Sequence, residues 1–154
     1  MTARPIRYDL RRCLRHVLTG IQHCDDENLR MKFIQAQNMA PPAGHYSQAV
    51  QAGGLVFVSG VLPGNPAEGE EDSFERQVRA TFRQGANILA ASGCTLDDVA
   101  QCTAYIVDVR NWPRFNAIYA DIFGAHKPAR TVVPVPELHH GFLIEIQLVA
   151  ELQA

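Results

Sequence analysis

The sequence of 154 residues lacks a strong excess of either charge and lacks any long hydrophobic run. Its 14 basic and 16 acidic residues give a net charge of −2, whereas dedicated nucleic-acid-binding proteins usually carry a strong basic excess. No stretch approaches the roughly 20 apolar residues that a membrane-spanning helix needs. We therefore expect no nucleic-acid partner and no membrane partner.

Cysteine is scarce, and the common cofactor motifs are absent. The four cysteines form no CxxC pair, and Cys94 and Cys102 stand among apolar neighbours, where a free cysteine behaves as a small hydrophobe. The chain contains no GxGxxG, GxxxxGK[ST] or HExxH motif, which removes the usual signs of dinucleotide binding, nucleotide-phosphate binding and zinc-protease activity. The cysteines indicate a reducing compartment, and we expect a cytoplasmic protein.

Residues 1–30 differ in composition from the rest of the chain. They carry six arginines and four acids, for a net charge of +2, whereas residues 31–154 carry eight bases and twelve acids, for a net charge of −4. We expect residues 1–30 to be a poorly ordered or loosely helical extension, with an organelle transit peptide as the alternative. Residues 31–154 are expected to form one folded domain.

From residue 31 onward the sequence alternates between strand and helix patterns. Strands are predicted at 31–35, 46–52, 55–62, 99–109, 131–135 and 142–152. Apolar residues at three- to four-residue spacing predict one helix from the N-cap Asp72 to Gly93 and another from about Asn111 to Gly124. The apolar, β-branched run 55–62 is typical of a strand buried on both faces. This order predicts an α+β domain with two helices on one face of a mixed sheet.

Two charged residues in strands each allow two interpretations. Glu145 alternates with apolar residues in the last strand, so its carboxylate lies either on a solvated sheet face or in a partly buried site suited to acid–base chemistry. Arg130 follows a short turn at the start of a strand. It is either an ordinary surface or ion-paired arginine, or a fixed guanidinium that binds a planar carboxylate through two parallel hydrogen bonds.

Several segments together resemble the Rid family, also called the YjgF or reactive-intermediate-deaminase family. The resemblance is carried by Pro42–Val50, Gly53–Gly60, Phe115–Tyr119 with Phe123, Lys127–Thr131 and Leu143–Ile146, in the family's order and spacing. It implies a chorismate-mutase-like α+β protomer. It also implies a homotrimer whose sites lie in the clefts between subunits.

The resemblance further implies an activity, the hydrolysis of 2-imino acids to 2-oxo acids and ammonia. The expected catalytic residues are Arg130, which anchors the substrate carboxylate, Glu145, which positions or activates water, and Tyr46, which lines the pocket. Ser59, Asn116 and Val132 complete the expected substrate-binding set. Because an imine is already electrophilic, water addition needs only orientation and a proton shuttle, and we expect no cofactor and no metal.

The sequence departs from the family pattern at several positions. His45 replaces a common proline, Val61 a frequent glutamine, Val132 a frequent cysteine and Gln147 a frequent second acid. These changes make the pocket less polar and predict a shift toward bulkier imino acids.

Two alternative functions stay open. One is a non-catalytic trimer that binds small carboxylates or a protein partner in the same clefts. The other is an endoribonuclease activity like that of some relatives, although the acidic balance of residues 31–154 disfavours it.

Overall fold

A computed structural model of the chain describes residues 31–153, and the expectations for residues 1–30 lie outside that range. The strands are β1 (Lys32–Ile34), β2 (Ala49–Ala52), β3 (Leu55–Val61), β4 (Val99–Val107), β5 (Ala129–Val135) and β6 (Ile144–Glu151). The helices are α1 (Phe74–Ala90) and α2 (Trp112–Phe123). Neither of these two helices is long and apolar enough to cross a membrane.

The six strands form one mixed sheet in the order β1-β2-β3-β6-β4-β5. Strands β4 and β5 are parallel, and every other neighbouring pair is antiparallel. A parallel pair requires a crossover connection, and α2 supplies it. The ring of Phe82 in α1 packs edge-on against Tyr119 and Phe123 of α2, so both helices lie on the same face of the sheet. The predicted α+β architecture is confirmed.

The core fills the space between the helices and this face of the sheet. In β6 the alternate residues Ile144, Ile146, Leu148 and Ala150 are at most 1% exposed. Successive side chains of a strand point to opposite faces, so the residues between them lie on the other face, which we call the open face. Glu145 is the first of these residues in β6.

The open face carries apolar side chains that nothing in the described chain covers. Phe33, Val50, Phe57 and Val149 are partners across β1, β2, β3 and β6, and we call them the apolar row. Phe33 is 72% exposed and Phe57 is 45% exposed. The prediction that strand 55–62 is buried on both faces is therefore wrong for a single chain, because only one of its faces meets the helices.

The start of α1 differs from the predicted cap. Ser73 is the N-cap residue, and its hydroxyl accepts a hydrogen bond from the backbone N–H of Arg76 at 3.2 Å. The Asp72 carboxylate instead accepts hydrogen bonds from the side chains of Arg76 and Gln77, at 3.0 and 3.1 Å. The predicted N-cap Asp72 is wrong because these side chains engage its carboxylate and leave the cap to the next residue.

A buried glutamine ties down the loop between β1 and β2. Gln48 is 7% exposed, and its side-chain oxygen accepts a hydrogen bond from the Ala36 N–H at 2.7 Å. Its side-chain nitrogen donates to the Ala40 carbonyl at 3.0 Å. The loop that leads to Tyr46 is thereby fixed to the start of β2.

Replacing Gln48 should loosen this loop. The substitution Gln48→Met leaves the buried Ala36 N–H without its partner, and a buried unpaired polar group costs about 1–3 kcal/mol. We expect the free energy of unfolding, measured by urea denaturation, to fall by about that amount. As a matched control, Gln51→Met in β2 removes a side chain that makes no hydrogen bond to residues 31–153, and it should change stability by less than about 0.5 kcal/mol. Equal losses in the two variants would contradict the role of Gln48.

Candidate functional site

The predicted site residues fall into two groups at different places in the fold, and each group also contains residues that the sequence did not assign to the site. The glutamate group consists of Tyr46, Ser59, Gly60 and Glu145. The arginine group consists of Phe115, Asn116, Tyr119, Arg130 and Val132. Each group is assembled by a different pair of neighbouring elements.

The carboxylate of Glu145 lies against the backbone of β3. The register between β3 and β6 shifts between Val58 and Val61, and Gly60 lies in that irregular stretch. A Cβ atom added at Gly60 would collide with Glu145 Oε1. Glycine inside a strand often marks such a close approach, and here it makes room for a half-buried carboxylate on the open face.

Ser59 precedes Gly60 near the end of β3, and Tyr46 lies in the loop before β2. The Ser59 hydroxyl donates a hydrogen bond to the Ser47 carbonyl at 2.7 Å, and the Ser59 N–H donates to the Gln48 carbonyl at 3.0 Å. Tyr46 is 56% exposed. Together with Gly60 they line a cavity of about 600 Å³ between the loop 38–46, the end of β3 and α1.

The wall of this cavity is free of formal charge. Among the described residues that line it, none is Asp, Glu, Lys or Arg, and its polar side chains are amides, hydroxyls and one imidazole, His140. Val61, 4% exposed, belongs to the wall at the position where the sequence departs from the family's glutamine. Glu145 is not one of the lining residues, and it approaches the cavity only through Gly60.

The open face around Glu145 holds a second polar pair. Tyr105 of β4 is the register partner of Glu145, and its hydroxyl donates a hydrogen bond to Gln147 Oε1 at 3.0 Å. Gln147 replaces the family's frequent second acid, so the tyrosine is held by a neutral amide. In this part of β6, Glu145 is the one carboxylate.

Arg130 lies on the other face of the sheet, where α2 holds it. Strand β5 begins at Ala129, two residues earlier than predicted, and pairs Arg130 with Cys102, which is buried beneath the helices. The guanidinium donates through Nη2 to Asn116 Oδ1 at 3.0 Å. Its Cζ lies 4.7 Å from the ring centroid of Tyr119 and 5.9 Å from that of Phe115.

These contacts show that Arg130 is not ion-paired within the described residues, and that its head group is positioned by α2. The guanidinium is held by an amide and two aromatic rings, and it forms no salt bridge with any carboxylate of residues 31–153. Val132 lies beside it on the same face, since its register partner Ala104 is fully buried. A positioned guanidinium without an acidic partner is suited to binding an anion.

The groups behind Arg130 are neutral at physiological pH. Burial raises the pKa of the Cys102 thiol to about 12, although Tyr119 and the Arg130 charge oppose the shift. Burial also raises the pKa of the Tyr119 hydroxyl. Neither group carries a negative charge that would offset the arginine.

A single chain does not bring Arg130 and Glu145 together. Tyr105, the partner of Glu145, lies on the open face, whereas Cys102, the partner of Arg130, lies on the helix face. Arg130 also belongs to the edge strand of the sheet. The two charges predicted for one site therefore lie on opposite faces of the same protomer.

Sequence reasoning missed the contributions of Gly60 and Tyr119. A glycine within an apolar strand was a usable signal, because such glycines often mark a bulge or a close backbone approach. Tyr119 follows Phe115 by four residues, which places both rings on one face of a helix. That spacing could not reveal that Arg130 packs on them, because β5 is brought there only by the crossover.

Filling the space above Gly60 should displace the carboxylate. The substitution Gly60→Ala adds a methyl group where Glu145 Oε1 lies, so the carboxylate must rotate away from β3. We expect a changed ¹³C chemical shift of the Glu145 carboxyl, with little loss of stability because the displaced atom is the end of a flexible side chain. In the control Gly44→Ala, the added methyl meets only the Tyr46 ring at 3.5 Å, and the Glu145 signal should stay unchanged. An unchanged Glu145 signal in Gly60→Ala would rule out the close approach.

Cys102 should resist alkylation in the folded protein. With a pKa of about 12, only about one thiol in ten thousand is thiolate at pH 8, and the thiolate is the reactive form. We expect iodoacetamide to leave the Cys102 peptide unmodified in the native protein and to modify it fully in urea, as measured by mass spectrometry. Native modification at the rate seen in urea would contradict the burial of this thiol.

Comparison with known proteins identifies the same family over most of the chain. The family model described as Endoribonuclease L-PSP matches residues 37–152. A RutC family protein of Pyrococcus horikoshii is 38% identical over 121 residues, which cover 77% of this chain and 96% of that protein. The structure titled E. coli TdcF with bound serine superposes with a TM-score of 0.72 at 29% identity, covering 79% of this chain and 99% of the other.

A third relative carries a name that describes an activity. Reactive Intermediate Deaminase A, chloroplastic, of Arabidopsis thaliana is 37% identical over 124 residues, which cover 79% of this chain and 66% of that protein. Its name places that relative in chloroplasts, and the cytoplasmic location of the present chain stays a prediction. Because the family model spans residues 37–152 and the relatives align over more than three quarters of the chain, this protein belongs to the Rid family, in which RutC and L-PSP proteins are also grouped.

Proposed function

We propose that this protein hydrolyses 2-imino acids to 2-oxo acids and ammonia. The observation that carries the proposal is Arg130, a guanidinium held in place by α2 and unpaired with any carboxylate of the described chain. The named deaminase relative supports this reaction class. The bound serine named for the E. coli relative supports a ligand with an amino-acid carboxylate.

Arg130 would bind the substrate carboxylate. A planar guanidinium matches a carboxylate with two parallel hydrogen bonds, which fixes both the position and the orientation of the substrate. Charge-assisted hydrogen bonds contribute about 1.5–3 kcal/mol each. Since α2 already orders the arginine, little additional side-chain entropy is lost when the substrate binds.

Glu145 would move the proton. Water adds to the C=N bond, so that its oxygen bonds to C2 while one of its protons passes through the Glu145 carboxylate to the nitrogen. The resulting carbinolamine loses its hydroxyl proton, the C2=O bond forms, and the C–N bond breaks to release ammonia. One carboxylate serves both steps, because the proton it accepts is returned to nitrogen. The substrate side chain would enter the uncharged cavity beside Tyr46 and Ser59.

The active form we propose is a homotrimer in which each site takes Glu145 from one subunit and Arg130 from the next. The opposite placement of these residues within one chain supports a shared site. The apolar row supports contact between open faces, because such a stripe rarely stays exposed to water. The sequence of β3, typical of burial on both faces, agrees with such contact.

Arginine at position 130 should not be replaceable by lysine. Because Lys keeps the charge but loses the planar pair of donors, we expect Arg130→Lys to lower kcat/KM at least about tenfold and Arg130→Ala by roughly two to four powers of ten. The assay generates 2-iminobutanoate in situ with an amino-acid oxidase and follows 2-oxo acid release and semicarbazide trapping.

The matched control is Arg114→Lys, which changes an exposed arginine of α2 that pairs with Glu75. This control should keep full activity, and both variants of Arg130 should keep the wild-type unfolding temperature. Full activity in Arg130→Lys would refute the anchoring role.

A shared site should allow two inactive variants to restore each other. If subunits of Arg130→Ala and Glu145→Gln mix at random, roughly a quarter of the sites combine two unaltered halves, because each site of a cyclic oligomer takes its halves from different subunits. We expect a refolded equimolar mixture to reach about a quarter of wild-type activity, with native mass spectrometry confirming mixed trimers.

The control mixture combines Arg130→Ala with the double variant Arg130→Ala/Glu145→Gln, from which no intact site can form. It should stay inactive. Mixed trimers that show no more activity than this control, or a fully active monomer, would contradict the shared site.

Endoribonuclease activity is a second candidate, favoured by the description of the matching family model. The eight bases and twelve acids of residues 31–154 oppose it, since phosphate contacts dominate nucleic-acid affinity. Cleavage of single-stranded RNA by the purified protein that is lost in Glu145→Gln would favour this candidate. Cleavage that persists in the variant would indicate a contaminating nuclease.

A further inference from the structure

Beneath Arg130 lies a tyrosine whose buried hydroxyl is close to the Cys102 thiol but makes no hydrogen bond within the described residues. Tyr119 is 7% exposed, and its hydroxyl is buried without a hydrogen-bond partner among residues 31–153. Burying an unpaired hydroxyl is unfavourable, so this atom does not explain how the side chain stabilises the fold. The ring of Tyr119, in contrast, contacts the Arg130 guanidinium.

The guanidinium meets three side chains from one turn of α2. Tyr119 supplies the nearest ring, 4.7 Å from Cζ to the centroid, and Phe115 supplies a second at 5.9 Å. Asn116 accepts the Nη2 hydrogen bond at 3.0 Å. Residues at spacing i, i+1 and i+4 thus place two rings under the guanidinium and one acceptor at its end.

Stacking has a consequence for anion binding. Arg130 is an exposed residue in an edge strand, and an unsupported arginine would populate many rotamers there. An aromatic face attracts a guanidinium and so limits the positions that the Arg130 head group occupies. The hydrogen bond to the amide of Asn116 limits them further.

We propose that Tyr119 is a positioning residue for the carboxylate-binding Arg130, acting through its ring and not through its hydroxyl. This inference rests on the proposed function, since it assigns Tyr119 a share in binding the substrate carboxylate. It requires that removal of the ring weakens carboxylate binding, while removal of the hydroxyl does not.

The raised pKa of Tyr119 agrees with this assignment. Burial keeps the hydroxyl protonated, so no phenolate charge competes with the substrate for Arg130. Cys102, the other titratable group behind the arginine, is likewise uncharged because its pKa is about 12. Tyr119 of α2 and Cys102 of β4 are therefore uncharged neighbours that do not offset the positive charge of Arg130.

Phe82 provides a matched control for loss of packing. It is 2% exposed, and its ring lies edge-on to Tyr119 with the centroids 5.7 Å apart. The rings that lie under Arg130 are those of Phe115 and Tyr119, not that of Phe82. Phe82→Leu therefore removes an aromatic ring from the same core without removing either ring that contacts Arg130.

The experiment compares Tyr119→Phe, Tyr119→Leu and Phe82→Leu. Kinetics with 2-iminobutanoate separate KM from kcat, and isothermal titration with 2-oxobutanoate measures carboxylate binding without turnover. The ¹H–¹⁵Nε signal of Arg130 reports the ring-current shift of a stacked guanidinium, independently of activity. Unfolding temperatures are measured for all variants, and Tyr119→Met replaces Tyr119→Leu if the latter does not fold.

We expect Tyr119→Leu to raise KM and the Kd for 2-oxobutanoate about three- to tenfold, the range of a modest cation–π contact, with kcat within about twofold. The Arg130 signal should lose its ring-current shift. Tyr119→Phe should keep the shift, KM and kcat, with equal or higher stability. Phe82→Leu should lower stability while KM stays within about twofold of the wild-type value.

The inference is overturned if Tyr119→Leu keeps the wild-type KM, if Phe82→Leu raises KM equally, or if Tyr119→Phe is as damaging as Tyr119→Leu. In each of these cases the wild type still hydrolyses the imine, so the proposed function survives. A wild-type protein that neither hydrolyses the imine nor binds 2-oxobutanoate would overturn the proposed function together with this inference.

Discussion

Strand β6 lies in the interior of the sheet between β3 and β4, and its two-residue side-chain period sets the arrangement of everything around it. Four of its residues, alternating along the strand, seal the core against both helices. The same alternation places Glu145 on the opposite face, next to Gly60. A slip of one residue in this register would bury the carboxylate under the helices and expose the core side chains. The register of β6 therefore fixes both the packing of the hydrophobic core and the position of the Glu145 carboxylate.

The crossover through α2 sets the position of the cation in the same way. Because β5 pairs in parallel with β4, the chain must pass over the helix face before it reaches Arg130. The helix that makes this connection also provides the rings and the amide that hold the guanidinium. Helix α2 thus both makes the crossover between β4 and β5 and orders the Arg130 side chain. It does so on the face of the sheet away from Glu145.

Most of the fold could be predicted from the sequence, because hydrophobic period and turn residues are local signals. The order of strands and helices, and the placement of both helices on one face, followed from them. The cap of α1 could not be predicted, because the Asp72 carboxylate is engaged by side chains that only the folded helix brings near. The early start of β5 depends on pairing with β4, which no local pattern reports.

Candidate site residues could be named from the sequence, but their arrangement in the fold could not. Arg130 and Glu145 stood out by type and position, and the family resemblance gave them roles. Their separation on opposite faces depends on sheet register and on the crossover, both of which are properties of the whole domain. The exposure of one face of β3 could not be predicted either. The same apolar sequence is expected whether that face packs on a helix or on another subunit.

The close approach of Gly60 to Glu145 has a consequence for how sequences of this family diverge. As long as the carboxylate occupies the space above position 60, every side chain larger than hydrogen is excluded there. A lineage that loses the acid is released from this exclusion and becomes free to accumulate alanine or serine at position 60. The two positions should therefore vary together across relatives. A side chain at position 60 would then mark, in sequence alone, a protein that has lost the acid at position 145.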